Sequence, residues 1–234
     1  MYKKINLSIK GPHMYKIQSK ILHQEVANQI REMIRNGALE KGQKINEKHL
    51  CESMGVSRTP VRESLRILNS EGLIDLIPHK GAYISQPPIR EINDMFEVMS
   101  VLEGTCARLA TKKMTESDFS NIERLHQGLE EFYRKRDHEA YLKSNNVFHV
   151  FIQKLAGNKV LNGVIDGLRL KILLYRQRQL YQLERFDQSI QEHRGLLAAF
   201  RKRDAALAER VMKRHLIKQC EALVHLYVSK EDQL

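Results

Sequence analysis

The sequence predicts a mainly α protein, with an N-terminal winged helix-turn-helix carrying a small β-hairpin wing and a C-terminal all-α helical bundle. Three observations carry that prediction. Within residues 46–73, two short helical patterns flank Met54-Gly55-Val56. Directly behind them an alternating run at 73–77, the turn Pro78-His79-Lys80-Gly81 and a return run at 82–85 read as a hairpin. Beyond Gln86-Pro87-Pro88, apolar residues recur at helical spacing with little strand signal.

In chain order, Leu22, Val26, Ile30, Met33 and Ile34 mark an amphipathic helix across 22–36, ended by Gly37 and placed to pack behind the helix-turn-helix. Asn46 is a suitable N-cap for the next helix, and Glu47 favours the positive end of its dipole. Gly55 can take the left-handed conformation that stops that helix and turns the chain. Ser57 is placed to cap the following helix, and Pro60 falls in its first turn, where a missing N–H costs little. Leu50, Met54, Val56, Val61, Leu65 and Leu68 form the seam between the two helices.

The exposed start of the second helix carries Ser57, Arg58, Thr59 and Arg62. Arginine bonds bidentately to guanine in a major groove, while hydroxyls and helix N-terminal amides hold phosphates. An ordinary helical corner with a solvated Arg/Ser/Thr face fits the same spacing. The hairpin directly behind it favours DNA, since a wing with Lys80 and Gly81 at its tip would approach the backbone or minor groove.

Proline restrains both itself and its predecessor to extended geometry, so Gln86-Pro87-Pro88 is the expected domain boundary. Residues 14–86 are then the DNA-binding unit and 87–234 the helical unit. Gly11-Pro12-His13-Met14 resembles a cloning or protease-site scar, so residues 1–13 read as an added leader or a natural flexible arm. In the helical unit, one stripe runs through Ile92, Met95, Phe96, Met99, Leu102, Cys106 and Leu109. Thr115 opens a second helix with a capping-box pattern, and Asp137 caps a third that ends at Gly157-Asn158. A fourth covers about 160–182, and Asp187 and Asp204 are expected to begin the last two.

The chain has 234 residues, enough for two cores, and a formal charge of +11, which favours a polyanion partner through counterion release. No apolar stretch is long enough to span a bilayer, so no membrane partner is expected. The 3 cysteines are widely spaced and read as thiols in a reducing cytoplasm.

Asn145 and His149 are four apart on one helix face, while His193 and His215 lie on inward stripes of two other helices. Three such imidazoles can converge on a zinc, nickel or similar divalent ion. Taken singly, each reads first as an ordinary hydrogen-bonded core histidine and only second as a ligand. His126 and His138 are expected at the surface.

The runs GVSRTPVRESLRILNSEGLI and HKGAYIS closely resemble the winged helix-turn-helix of GntR-family bacterial transcription regulators. The resemblance implies DNA contacts at Lys48, Arg58, Thr59, Arg62 and Gly81; many relatives have Arg where Lys48 stands. The helical unit resembles the ligand-binding domain of the FadR subgroup, through SNNVFHVFIQKLAGN, EHRGLLAAFRKRD and ERVMKRHL. In that subgroup an Asp and three His often bind a divalent metal. His149, His193 and His215 match, whereas Asn145 replaces the Asp, so a metal-free pocket stays open as the other reading.

Subgroup effectors are often small carboxylates, for which Arg169, Tyr175 and Arg176 are the candidate residues; a solvated basic helix face fits them equally. The family frequently has Arg at Met99, which points to a less charged ligand here; long-chain acyl ligands occur in one branch. The expectation is a cytoplasmic, ligand-responsive repressor, a homodimer on a palindromic double-stranded DNA operator. The rival from another class is a metal-dependent hydrolase built on the bundle. Neither HExxH nor a convincing general base accompanies its histidines.

Overall fold

The computed structural model describes residues 20–176 and 183–231. Residues 1–13, Met14 and the expected helix end at Gln182 lie outside the described residues. Helix α1 spans Lys20–Arg35, α2 Glu47–Met54 and α3 Arg58–Ser70, followed by a hairpin of β1 Ile74–Ile77 and β2 Gly81–Ile84. The bundle is α4 Ile89–Lys113, α5 Glu116–Arg134, α6 His138–Ala156, α7 Lys159–Arg176, α8 Leu183–Arg201 and α9 Ala205–Glu231. The fold is thus mainly helical with one two-stranded antiparallel sheet.

The helix-turn-helix follows from its capping chemistry. Asn46 Oδ1 accepts from the His49 amide at 3.0 Å, and Gly55 ends α2 at φ 66°. Ser57 occupies the N-cap position of α3, but its hydroxyl makes no capping bond. The extended backbone at Ser57 (φ −74°, ψ 171°) starts the helix without it, a correction to the capping role expected of that side chain. Val26, Ile30 and Ile34 are buried in one core with Val61, Leu65 and Leu68. Each such burial is worth about 1.5–3 kcal/mol.

The hairpin pairs Ile74 with Ile84 and Ile77 with Gly81. Its turn is closed by the Lys80 amide donating to the Ile77 carbonyl at 3.1 Å, with His79 held at φ 61°. In β1 the expected in–out alternation fails, with Leu73 and Ile74 buried while Leu76 and Ile77 are exposed; in β2 it holds, with Ala82 and Ile84 buried and Gly81 exposed. A third edge was not read from sequence: Lys44 bridges Tyr83, and the Ile45 amide donates to the Ala82 carbonyl at 2.9 Å.

In the bundle α4 packs on α6, α7 and α9, α5 packs on α6 and α8, and α8 packs on α9. Thr115 and Asp118 form the capping box of α5, and Asp137 Oδ1 accepts from the Ala140 amide at 3.0 Å. Asp204 Oδ1 likewise accepts from the Leu207 amide at 2.9 Å. Asp187 does not begin a helix. It sits inside α8, where its carboxylate takes Arg136 at 2.7 Å. Gly104 lets α9 approach α4 closely, since a Cβ there would stand 3.3 Å from the Glu209 carbonyl oxygen and 2.7 Å from Lys213 Cγ. Cys51, Cys106 and Cys220 are free thiols.

Candidate metal centre and nucleic-acid interface

His149 projects from α6, His193 from α8 and His215 from α9. Their ring centroids are 5.4 Å (His149–His193), 5.2 Å (His149–His215) and 4.8 Å (His193–His215) apart. One nitrogen from each lies within 4.8 Å of the others, and all three side chains are buried. Nitrogens on one tetrahedral zinc ion stand about 3.4 Å apart, so the three rings would draw inward to share an ion. Asn145, one turn before His149 on α6, is only 3 % exposed.

Each outer histidine is oriented by a buried ion pair. His149 Nδ1 lies 2.7 Å from Glu103 Oε2, and Arg169 Nη2 donates to Glu103 Oε1 at 2.8 Å. His215 Nδ1 lies 2.6 Å from Glu192 Oε2, which Arg185 Nη2 also reaches at 2.9 Å. An acceptor-only carboxylate on Nδ1 keeps the ring proton there and turns Nε2 toward the cluster.

The electrostatics agree with that arrangement. Burial alone would raise the Glu103 carboxyl, but the Arg169 guanidinium and then His149 more than offset it, holding the group well below its ordinary range. Burial also opposes ionisation of Glu192, yet the hydrogen bond from His215 and the charge of Arg185 leave its carboxyl lowered. Burial first, then His215 and His149, push His193 well below its ordinary value of 6.5. Burial lowers His215 to about 4 against the opposing pull of Glu192. All else equal, both rings are neutral near pH 7, the form that binds metal.

The residues present fit a divalent ion. Among the described residues, Asn145 Oδ1 and both ring nitrogens of His193 are buried without a hydrogen-bond partner. Such a group costs about 1–3 kcal/mol unless something satisfies it. Three imidazoles and an amide oxygen suit zinc, nickel or another borderline divalent ion better than magnesium or calcium.

Of the expected effector residues, Arg169 is engaged with Glu103 and Gln153. Tyr175 and Arg176 end α7, and their side chains lie outside the described residues. Sequence reasoning missed Glu103, Glu192 and Arg185. Glu103 stands four residues after Met99 and three before Cys106, and an acid on an apolar stripe was a readable signal. Arg185 is 2 % exposed, with Nε and Nη1 lacking a hydrogen-bond partner among the described residues. It lines a cavity of about 290 Å³ together with Gln188, Lys218 and Glu221. His126 is not a surface residue: it is buried on the same face of α5 as Ile122 and Leu129. His138 is half-buried, its ring 4.3 Å from that of Phe186.

In the helix-turn-helix, Ser57, Arg58, Thr59 and Arg62 are all exposed around the start of α3. Arg62 Nε donates to Glu47 Oε2 of α2 at 2.9 Å, and Lys48 stands 3.8 Å from Glu52. Lys80 and Gly81 form the exposed wing tip, with Gly81 at φ 104°. Lys44 adds a cation beside it, its Cε 3.7 Å from where a Gly81 Cβ would stand.

Residues 22–84 match the family described as bacterial regulatory proteins, gntR family, and residues 94–218 match the FCD domain. The HTH-type transcriptional regulator LutR of Bacillus subtilis (strain 168) is 30 % identical over 207 residues, covering 79 % of this chain and 93 % of the relative. The HTH-type transcriptional repressor RspR of Escherichia coli (strain K12) is 24 % identical over 212 residues, covering 90 % of this chain and 92 % of the relative. Among solved structures, E. coli McbR/YncC superposes with a TM-score of 0.75 at 23 % identity, over 88 % of this chain and 98 % of that one. That last likeness shows a shared fold.

Proposed function

This chain belongs to the GntR family of bacterial transcription regulators and carries an FCD C-terminal domain; from that premise we propose that it is a metabolite-responsive repressor acting as a homodimer on a palindromic operator. It is a DNA-binding regulator and not an enzyme, which sets the hydrolase reading aside. No helix among the described residues is long and apolar enough to cross a membrane. The proposed place of action is the cytoplasm, with the chromosome as partner.

The observation that carries the reading is the pairing of two features in one chain. An exposed Ser57-Arg58-Thr59 helix start with Arg62 sits at one end, and a buried triad of histidines in the helical domain at the other. The proposed DNA contacts are Lys48, Ser57, Arg58, Thr59, Arg62, Lys80 and Gly81. Two copies related by a two-fold axis would set two α3 helices one helical turn apart on the duplex.

In the sensor domain the proposed metal ligands are His149, His193 and His215 through nitrogen and Asn145 through its amide oxygen. A divalent ion bound there would supply a fixed positive charge for a carboxylate effector. Because Asn145 brings no charge of its own, that positive charge stays undiminished by the protein ligands. Arg185, buried with Nε and Nη1 unpartnered among the described residues, supports an anionic effector on the protein's own side of the pocket. Arg169, Tyr175 and Arg176 remain proposed effector residues, Arg169 by way of its pairing with Glu103. An effector that prefers one arrangement of the two DNA-binding heads shifts operator affinity by its differential affinity for the two.

The test is selection from random duplex DNA by the full chain, followed by a metabolite screen read as loss of binding to the selected sequence. Enrichment of a palindrome, and its release by a carboxylate, is the expected result. Enrichment of no common sequence would sink the operator reading.

A further inference from the structure

Gln219 lies one turn beyond His215 on α9, and both side chains are buried. Gln219 Nε2 is 2.7 Å from His215 Nε2, a separation that requires one donor and one lone pair. The lone pair belongs to the histidine. Its single proton is held on Nδ1 by Glu192, 2.6 Å away, and a carboxylate can only accept. The Gln219 amide must therefore donate, because its carbonyl oxygen turned the same way would face a lone pair with a lone pair. The nitrogen that Gln219 covers is the one the Glu192 contact turns toward His149 and His193.

We propose that Gln219 is a displaceable cap on the metal-facing nitrogen of His215: it holds that lone pair in the metal-free protein and is expelled when a divalent ion takes the nitrogen. The inference rests on the metal-site reading above. It assigns Gln219 two effects. In the metal-free protein the cap satisfies a buried acceptor, which stabilises the sensor domain without an ion. On metal uptake one buried hydrogen bond is broken, so the cap lowers affinity and makes occupancy readable as a side-chain movement on α9.

That movement occurs where it can be transmitted. The next residue, Cys220, donates its thiol to Asn93 Oδ1 of α4 at 3.2 Å. Helix α4 follows the wing after a short connection, and Gly104 brings it close to α9. A rearrangement at Gln219 would therefore reach the seam between the sensor's last helix and the helix that follows the DNA-binding unit in the chain.

The experiment titrates nickel into the full chain by calorimetry, comparing wild type with Gln219→Leu, which keeps the bulk and removes the donor. The variant should bind nickel about five- to tenfold tighter, the worth of one neutral hydrogen bond. Equal or weaker binding overturns the cap, weaker binding pointing to Gln219 as a ligand instead. Gln219→Ala serves as a second variant should the leucine protein not fold. A second readout is the imidazole ¹⁵N spectrum of the metal-free protein. The His215 Nε2 resonance should move in the variant while those of His193 stay in place; a His215 signal that stays in place also overturns the cap. The two possible failures separate cleanly. A wild type that takes up no nickel removes the metal centre and the cap's role with it. Nickel uptake with equal affinity in both proteins removes the cap alone.

Discussion

Glu103 Oε2 lies 2.7 Å from His149 Nδ1, with both side chains almost wholly buried and Arg169 closing the far side of the carboxylate. A related arrangement holds His215, with Glu192 Oε2 taking both His215 Nδ1 and Arg185 Nη2. Two of the three histidines are thus oriented by carboxylates that are themselves held by arginines.

If those carboxylates orient the ligands, Glu103→Gln should weaken nickel or zinc binding by about 10–100-fold, the usual cost of losing a metal ligand's outer partner. Calorimetry on the purified variant measures it. Unchanged affinity would mean that His149 needs no such support.

Acid stability follows from the buried imidazoles. The folded-state values of His193 and His215 are depressed below their ordinary 6.5, His215 to about 4. Between about pH 6.5 and 4 the unfolded chain therefore binds more protons at these rings than the folded one, so stability falls as pH falls through that window. For His215 alone the full loss is about 3 kcal/mol. Urea melts of metal-free protein at pH 7, 5.5 and 4.5 should show the decline, and His215→Gln should flatten part of it.

Arg62 donates to Glu47 at 2.9 Å, so the proposed DNA contact would require it to share or leave that carboxylate. Replacing Arg58 or Arg62 with Ala should cost about 1–3 kcal/mol of operator binding. Glu47→Gln should have the opposite sign, tightening binding by removing a carboxylate that competes with phosphate. Fluorescence anisotropy on a selected operator reads both, and weaker binding by Glu47→Gln would mean that Glu47 positions Arg62 for its contact.

Assembly is testable without DNA. Sedimentation equilibrium at micromolar concentration should give twice the 27.3 kDa chain mass. A monomer both free and on operator DNA would contradict two-fold recognition.

Much of this architecture was legible before any coordinates. Asn46, Gly55, Thr115, Asp137 and Asp204 act as caps because local backbone chemistry needs few neighbours to express itself. The convergence of His149, His193 and His215 was readable from stripes on three helices. What escaped depends on partners distant in sequence. Glu103 meets His149 and Arg169 only once α4, α6 and α7 are packed, and Asp187 looked like a cap until Arg136 claimed it. The Lys44 edge was missed because a single bridge leaves no periodicity to read.

The central claim is that His149, His193, His215 and Asn145 share one ion, and elemental analysis after dialysis against nickel or zinc tests it most directly. Wild type should retain about one equivalent per chain, His193→Ala should retain none, and Asn145→Asp should hold it more tightly through the added charge. The melting temperature should rise with added metal in wild type and Asn145→Asp but not in His193→Ala, since only binding to the folded state produces that shift. A cluster of plain core histidines predicts otherwise: no metal in any of the three proteins, and an Asn145→Asp protein destabilised by an unpaired buried carboxylate. That outcome would contradict the account.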